Sequence, residues 1–295
     1  MLCDAHVHFF SPAFFGALAG QHGTASPADI LRELHWDDPG SPEALADRWV
    51  QELDRHGVTR TALIASIPGD ESSVAAAVAK HPSRFVGYFM VDPSAADAVE
   101  RTRRALTDLR LRVVCLFPAM HHVPLDDERT HRVVEAVAAV PGAAVFVHCG
   151  LLSIGVRRKL GLPSRFDLRL GDPLAVSRLA LAFPGTPFLI PHFGAGLFRE
   201  ALMAADTCPN VYLDTSSSNS WIRYMPGLTL ETAFRSALAV LGSSRLLFGT
   251  DSSFFPRGWQ KAIYADQRSI LQGLGVGQAD TDMIFGGNFQ RLFAT

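Results

Sequence analysis

The sequence predicts a single (β/α)8 barrel over residues 1–295. Three observations predict it. Eight short apolar runs alternate with segments of helical spacing, which implies a parallel sheet, and eight such units in one chain imply a closed one. Connections from helix to strand are short and carry Gly or Pro, as in His56–Thr59 (HGVT), His81–Arg84 (HPSR), Pro141–Ala144 (PGAA) and Pro184–Pro187 (PGTP). Those are good helix stops. Connections from strand to helix include the long segments Phe9–Pro42, Leu151–Asp172 and Thr215–Gly227. Long loops at strand C-termini belong to the catalytic face of such a barrel.

In chain order, Leu2–His8 is the first expected strand and Glu43–His56 the first helix. Thr61–Ala65 precedes Glu71–His81, Phe85–Val91 precedes Ala95–Leu109, and Val113–Phe117 precedes Glu128–Val140. Ala144–His148 precedes Pro173–Phe183, and Phe188–His192 is the sixth strand. Val211–Asp214 with Thr229–Leu241 and Leu246–Thr250 with Lys261–Leu274 complete the set. At about 150 residues per domain the length would suggest two units, but α/β barrels run to about 250 residues or more as one. No repeat, low-complexity tract or linker divides the chain. An open doubly wound sheet is the alternative fold. It lacks its usual signature, since neither GxGxxG nor a P-loop follows the first strand.

Composition narrows the partners. The chain is 48% hydrophobic and 19% charged with a formal net charge of −2, so it has no global basic field for nucleic acid and no polybasic membrane patch. No run of about 18 apolar residues predicts a transmembrane helix. The N-terminus MLCDAHVHFF lacks a basic region followed by a long apolar one, so a cytoplasmic location is expected. Cys3, Cys115, Cys149 and Cys208 form no CxxC pair, and buried free thiols are expected.

The chemistry lies at the strand ends. In a strand, His6 and His8 face one side, with Cα atoms about 6.6 Å apart at a rise of ~3.3 Å per residue. His148 closes Ala144–Val147, His192 closes Phe188–Pro191, and Asp251 follows Leu246–Thr250. The C-terminal ends of barrel strands crowd round one opening, where unpaired polar groups would be costly and a shared metal removes that cost.

The motifs DAHVH (Asp4–His8), VHCG (Val147–Gly150), PHFGAG (Pro191–Gly196), VYLDTS (Val211–Ser216), FGTDSSF (Phe248–Phe254) and GGNFQRLF (Gly286–Phe293) make the chain resemble the amidohydrolase superfamily. More narrowly, they resemble its amidohydrolase-related branch, which also holds the aminocarboxymuconate-semialdehyde decarboxylase-like enzymes. The resemblance spans nearly the whole chain. It implies that His6, His8, His148 and Asp251 ligate one divalent metal, and that His192 acts on water or substrate, with Asp251 as its catalytic partner. Binuclear members carry a lysine or carboxylate bridge at the end of strand 4; Val113–Pro118 has none, which implies a mononuclear site. Zinc suits N/O ligation, and Mn²⁺ or Fe²⁺ accept similar ligands. Cys149 stands where the branch often has a hydroxyl residue, and Phe117 where many relatives have a polar one.

The function expected is metal-dependent hydrolysis of a small organic molecule, carboxylated or aromatic, through activated water. A non-oxidative decarboxylase using the same site is the alternative, and a non-catalytic metal-binding barrel is a third. His121, Arg257 and Trp221 are candidate substrate contacts. Arg157, Arg158, Lys159, Arg165 and Arg169 against Asp167 and Asp172 give the loop after strand 5 a positive rim. Asp214 is a candidate for capping or for supporting a ligand. His22 and His35 lie in a first loop long enough to form a lid. A homodimer is expected by resemblance.

Overall fold

Eight parallel strands surround a filled interior in the computed structural model, which describes residues 1–23, 25–216 and 219–294. β1 runs in two pieces, Cys3–Asp4 and His8–Phe9, both paired with β2 (Arg60–Ala65). The register moves from Asp4↔Thr61 to His8↔Ile64, so β1 carries one extra residue. That bulge lies at His6, and bulges beside active sites re-aim side chains. β3 (Phe85–Met90), β4 (Val113–Leu116), β5 (Ala144–Val147), β6 (Phe188–Ile190), β7 (Val211–Asp214) and β8 (Leu246–Leu247) follow, each paired with the last. Closure between β8 and β1 is made by a Val7–Ser252 bridge. The Ala5, His8 and Asp251 N–H groups add bonds to the carbonyls of Phe248 (2.8 Å), Ser252 (2.7 Å) and His6 (2.9 Å).

Alternation along each strand divides the core. On β2, Ala62 and Ile64 point inward with Tyr88, Cys115 and Phe146, while Leu63 and Ala65 point outward toward the helices. The outer layer includes α3 (Pro42–Arg55), preceded in the first loop by α1 (Pro12–His22) and α2 (Pro27–Leu34). It continues with α4 (Glu71–Lys80), α5 (Ala98–Thr107), the short α6 (Pro118–His121) and α7 (Glu128–Ala138). The short α8 (Gly155–Lys159) follows β5, then come α9 (Pro173–Ala182), α10 (Phe198–Thr207), α11 (Leu230–Leu241) and α12 (Lys261–Gly273). α13 (Gln278–Asp282) and α14 (Asn288–Leu292) end the chain, and Phe289 and Phe293 close the lower mouth of the barrel with Cys3. All four cysteines are buried and free.

Several elements differ from the sequence reading. The sixth strand stops at Ile190 rather than His192, because Pro191 lacks an N–H and the chain then turns left-handed. The eighth pairs only over Leu246–Leu247. α1 and α2 occupy the first loop, and α10 fills the connection between β6 and β7. A third apolar cluster forms where α1 and α2 meet α8, through Phe14, Phe15, Leu18, Ile30, Leu34, Val156 and Leu160. It is separate from both barrel clusters. Among the described residues, no helix is long and apolar enough to cross a membrane.

Candidate metal centre and active site

Each histidine of the first strand is oriented through its Nδ1. His6 Nδ1 lies 2.6 Å from Asp214 Oδ2, and His8 Nδ1 lies 2.8 Å from Ser66 Oγ. This fixes both rings and leaves Nε2 for the cavity. Burial alone would push the His6 imidazolium down, but Asp214, with Asp251 and Asp4 nearby, turns the shift upward. Asp214 is fully buried, which by itself raises a carboxyl; the charge and hydrogen bond of His6 reverse this and hold it below the usual range. Gly249 makes room for the pair. A Cβ there would lie 2.9 Å from Asp214 Oδ1, His6 Cβ and Ser216 Cβ. Asp4 sits behind them, buried, and accepts from the His6 and Thr250 amides, Thr250 Oγ1 (2.6 Å) and Trp259 Nε1 (2.7 Å). It therefore ties β1 to the segment that carries Asp251.

Asp251 takes a left-handed conformation (φ 58°), which costs a non-glycine residue of the order of 1–2 kcal/mol and needs support from its surroundings. Its Oδ1 lies 3.2 Å from His8 Nε2 and 3.7 Å from His6 Nε2, and one donor atom from each of the three residues falls within 4.8 Å of the others. Donors about 2.0–2.1 Å from one tetrahedral ion lie about 3.3 Å apart, so the spacing fits a single cation. Burial would raise the Asp251 carboxyl, but the His8 hydrogen bond and the charges of His6, His8 and His192 hold it far below the usual range.

His148 and His192 complete the floor. Their ring centroids are 5.4 Å apart, and that of His192 lies 4.9 Å from His6. His192 Nδ1 is 2.9 Å from Ser216 Oγ. Burial, with the neighbouring histidines, pushes both imidazoles below the usual histidine range. His148 Nδ1 is buried with no hydrogen-bond partner, a lone pair or N–H whose desolvation is otherwise uncompensated. The nitrogen–oxygen donor set of His6, His8 and Asp251 fits a divalent metal, whereas His148 stands outside that close group, on the same floor with its Nδ1 unpartnered.

The backbone at His192 is unusual. His192, Phe193, Gly194, Ala195 and Gly196 all have positive φ, a short left-handed turn. Gly150, at φ 67°, presses against it: a Cβ there would lie 2.2 Å from the Gly194 carbonyl oxygen and 2.4 Å from that of Ala195. The Leu151 amide donates to Ala195 at 2.7 Å. The loops bearing His148 and His192 are thereby locked together.

The cavity above this floor measures about 640 Å³. His6, His8, His148, His192 and Asp251 all line it, as do the substrate candidates Arg257 and Trp221. His121 does not; Met120 takes its place, and His121 turns its own orphaned Nδ1 into a buried site influenced by Asp92. His35 caps α2 in an exposed position. Of the basic loop after β5, Arg157 bonds to Gln21 and to the Pro163 carbonyl, and Arg169 pairs with Asp167, while Arg158 and Lys159 reach the cavity. Sequence reasoning missed Ser66 and Trp36. Ser66 directly follows Ala65, the strand-end position that flagged the histidines, and was findable by the same rule.

The family model described as "Amidohydrolase" matches residues 3–295. The chain belongs to the amidohydrolase family. Among curated proteins, this amidohydrolase is 25% identical over 170 residues to Protein fluG of Emericella nidulans, a match that takes in 56% of this chain and only 18% of that protein. Three solved structures share the fold over nearly all of both chains. A 5-carboxyvanillate decarboxylase from Novosphingobium aromaticivorans, complexed with manganese and 4-hydroxy-3-methoxy-5-nitrobenzoic acid, is 17% identical with a TM-score of 0.63, covering 100% of this chain and 96% of that one. A probable 2-pyrone-4,6-dicarboxylic acid hydrolase from Acinetobacter baumannii is 14% identical with a TM-score of 0.62, covering 100% and 99%. A zinc-bound amidohydrolase from Burkholderia multivorans is 14% identical with a TM-score of 0.64, covering 100% and 99%.

Proposed function

We propose that this amidohydrolase is a metal-dependent hydrolase of a small organic substrate. One observation carries the reading. His6, His8 and Asp251 present donors within 4.8 Å of one another at the base of a cavity of about 640 Å³, with the other ring nitrogen of each histidine already engaged. His6, His8, His148 and Asp251 would hold one divalent cation, zinc by preference for this donor set. When bound, the metal supplies Lewis acidity, which can lower the pKa of water from 15.7 to about 7.

The chain's own groups supply the rest. Asp251, held ionised, accepts the proton of the attacking water. His192, held below the usual histidine range by burial and anchored through Nδ1 to Ser216, leaves its Nε2 to bond a substrate oxygen. Phe117, whose ring lies 5.3 Å from His148 in near-parallel stacking, makes one wall apolar and excludes competing water.

That apolar wall also favours a second reading, loss of CO₂ from a carboxylated substrate, since a carboxylate gives up its charge as it leaves. Reaction in H₂¹⁸O separates the two. Hydrolysis places ¹⁸O in the product, whereas decarboxylation releases CO₂ and adds a solvent proton at carbon. Absence of both from metal-replete protein, across an ester, lactone, amide and arenecarboxylate panel, would sink the enzymatic reading.

A further inference from the structure

One hydroxyl on the floor stands between two imidazoles. Ser216 is fully buried, and its Oγ lies 2.9 Å from His192 Nδ1 and 3.1 Å from His6 Nδ1. Asp214 ends β7 and Ser216 follows two residues on. The Ser216 amide turns back to donate to Asp214 Oδ1 at 2.5 Å, while Asp214 Oδ2 meets His6 Nδ1 at 2.6 Å. His6, Asp214, Ser216 and His192 therefore form one connected network, and its protons must be shared out consistently.

A carboxylate only accepts, so the His6 nitrogen facing Asp214 carries that ring's proton. The Ser216 hydroxyl has a single proton of its own. It also steadies the Asp214 carboxylate, and an ionised carboxylate is a stronger acceptor than a ring nitrogen. His192 Nδ1 then faces two oxygens of Ser216. One is the hydroxyl, whose proton is spent on Asp214; the other is the carbonyl at 3.4 Å, which only accepts. Both call for a proton on Nδ1. A neutral imidazole has one N–H and one lone pair, so the lone pair falls to Nε2. His148, on the same floor, has nothing on its Nδ1 to make that choice.

We propose that Ser216 is a positioning residue that holds His192 as its Nδ1–H tautomer, so that Nε2 meets the cavity as a lone pair. Nε2 then accepts a proton from a water or a substrate hydroxyl and has none to give to a bare carbonyl oxygen. What Nε2 accepts from rests on the hydrolase reading; the tautomer does not.

The test is nitrogen-15 NMR of histidine-labelled protein, loaded with zinc and again after chelation. The His192 resonances are assigned by their loss in His192→Asn. In both forms His192 is expected to show one pattern, an N–H type of shift at Nδ1 and a lone-pair type at Nε2. Ser216→Ala should replace that pattern with a mixture of the two tautomers. In the same zinc-loaded variant, His6 should keep its proton on Nδ1 and zinc content should be unchanged, which confines the effect to His192. Turnover should fall about 10–100-fold with KM little altered. An Nε2–H or doubly protonated His192 in the unsubstituted protein would overturn the proposal, as would an unmoved pattern in Ser216→Ala. Failure of the hydrolase reading shows separately, as missing zinc or turnover, while the tautomer is still read in the chelated protein.

Discussion

The floor of the cavity and its mouth are built by opposite means. On the floor, polar groups are largely buried and three of the four imidazoles are fixed through Nδ1: His6 by Asp214, His8 by Ser66, His192 by Ser216. At the mouth, rings and cations stack with little hydrogen bonding: Phe14 on Phe10 at 4.0 Å, Phe10 toward Trp36 at 5.8 Å, and Trp36 on Phe254 at 3.8 Å. The floor belongs to the barrel, while the mouth leans on a third apolar cluster of its own. The difference teaches where chemistry and selection reside. Buried polar pairs tolerate no error in position, whereas stacked rings at about 0.5–1.5 kcal/mol each can part and re-form.

The sharpest break in that contrast comes from floor variants. Asp251→Asn and His148→Ala should lower metal affinity more than 100-fold, beyond the 10–100-fold typical of supporting groups, and abolish activity; elemental analysis after dialysis reads the first effect. His192→Asn should leave metal content unchanged while turnover falls about 10²–10⁴-fold. Retained turnover in that variant would remove His192 from the chemistry.

Next in size is the joint between two floor loops. Gly150→Ala drives a Cβ into the Gly194 and Ala195 carbonyls at a backbone φ of 67°. The neighbours are backbone and cannot rotate away, so about 3 kcal/mol is lost, at the top of the range for overpacking. At about 2–4 °C per kcal/mol for a chain somewhat smaller than this one, thermal melting should fall by several degrees. An unchanged melting temperature would show that the His148 and His192 loops are not locked. Ser66→Ala is milder. It frees the His8 ring, and metal affinity should drop about 10–100-fold without a change in fold.

What the sequence made legible follows the same division. His6, His8, His148, His192 and Asp251 could be read because each is a polar residue at the end of an apolar run, and the barrel brings such ends together at one opening. The backbone holding them was less visible. Pro191 and the glycines of PHFGAG hint at a turn, but His192, Phe193 and Ala195 take positive φ against their residue type, in a turn packed closely on Gly150. The two helices of the first loop were least visible. α1 (PAFFGALAGQH) is apolar on most sides, so it has no clear stripe, although Ser11-Pro12 and the Ser26–Asp29 capping box mark two helix starts. α10 went unread although its buried Phe198, Ala201, Ala204 and Ala205 recur at helical spacing. His121 was misplaced because α6 turns its ring away from the cavity that Met120 faces.

The mildest prediction tests whether the first-loop helices and the floor are independent. Trp36→Ala removes the stack on Phe254, the contact with Phe10 and the Lys159 cation–π pair, a local loss of about 1–3 kcal/mol. Because α1 and α2 pack in a cluster apart from the barrel, that loss should stay local. Amide exchange should quicken in α1 and α2, while β2 to β7, the global melting temperature and metal content stay as they were. If exchange quickened in the barrel strands as well, the two regions would be one cooperative unit. The separate cluster would then be a continuation of the core and not an independent layer over the cavity.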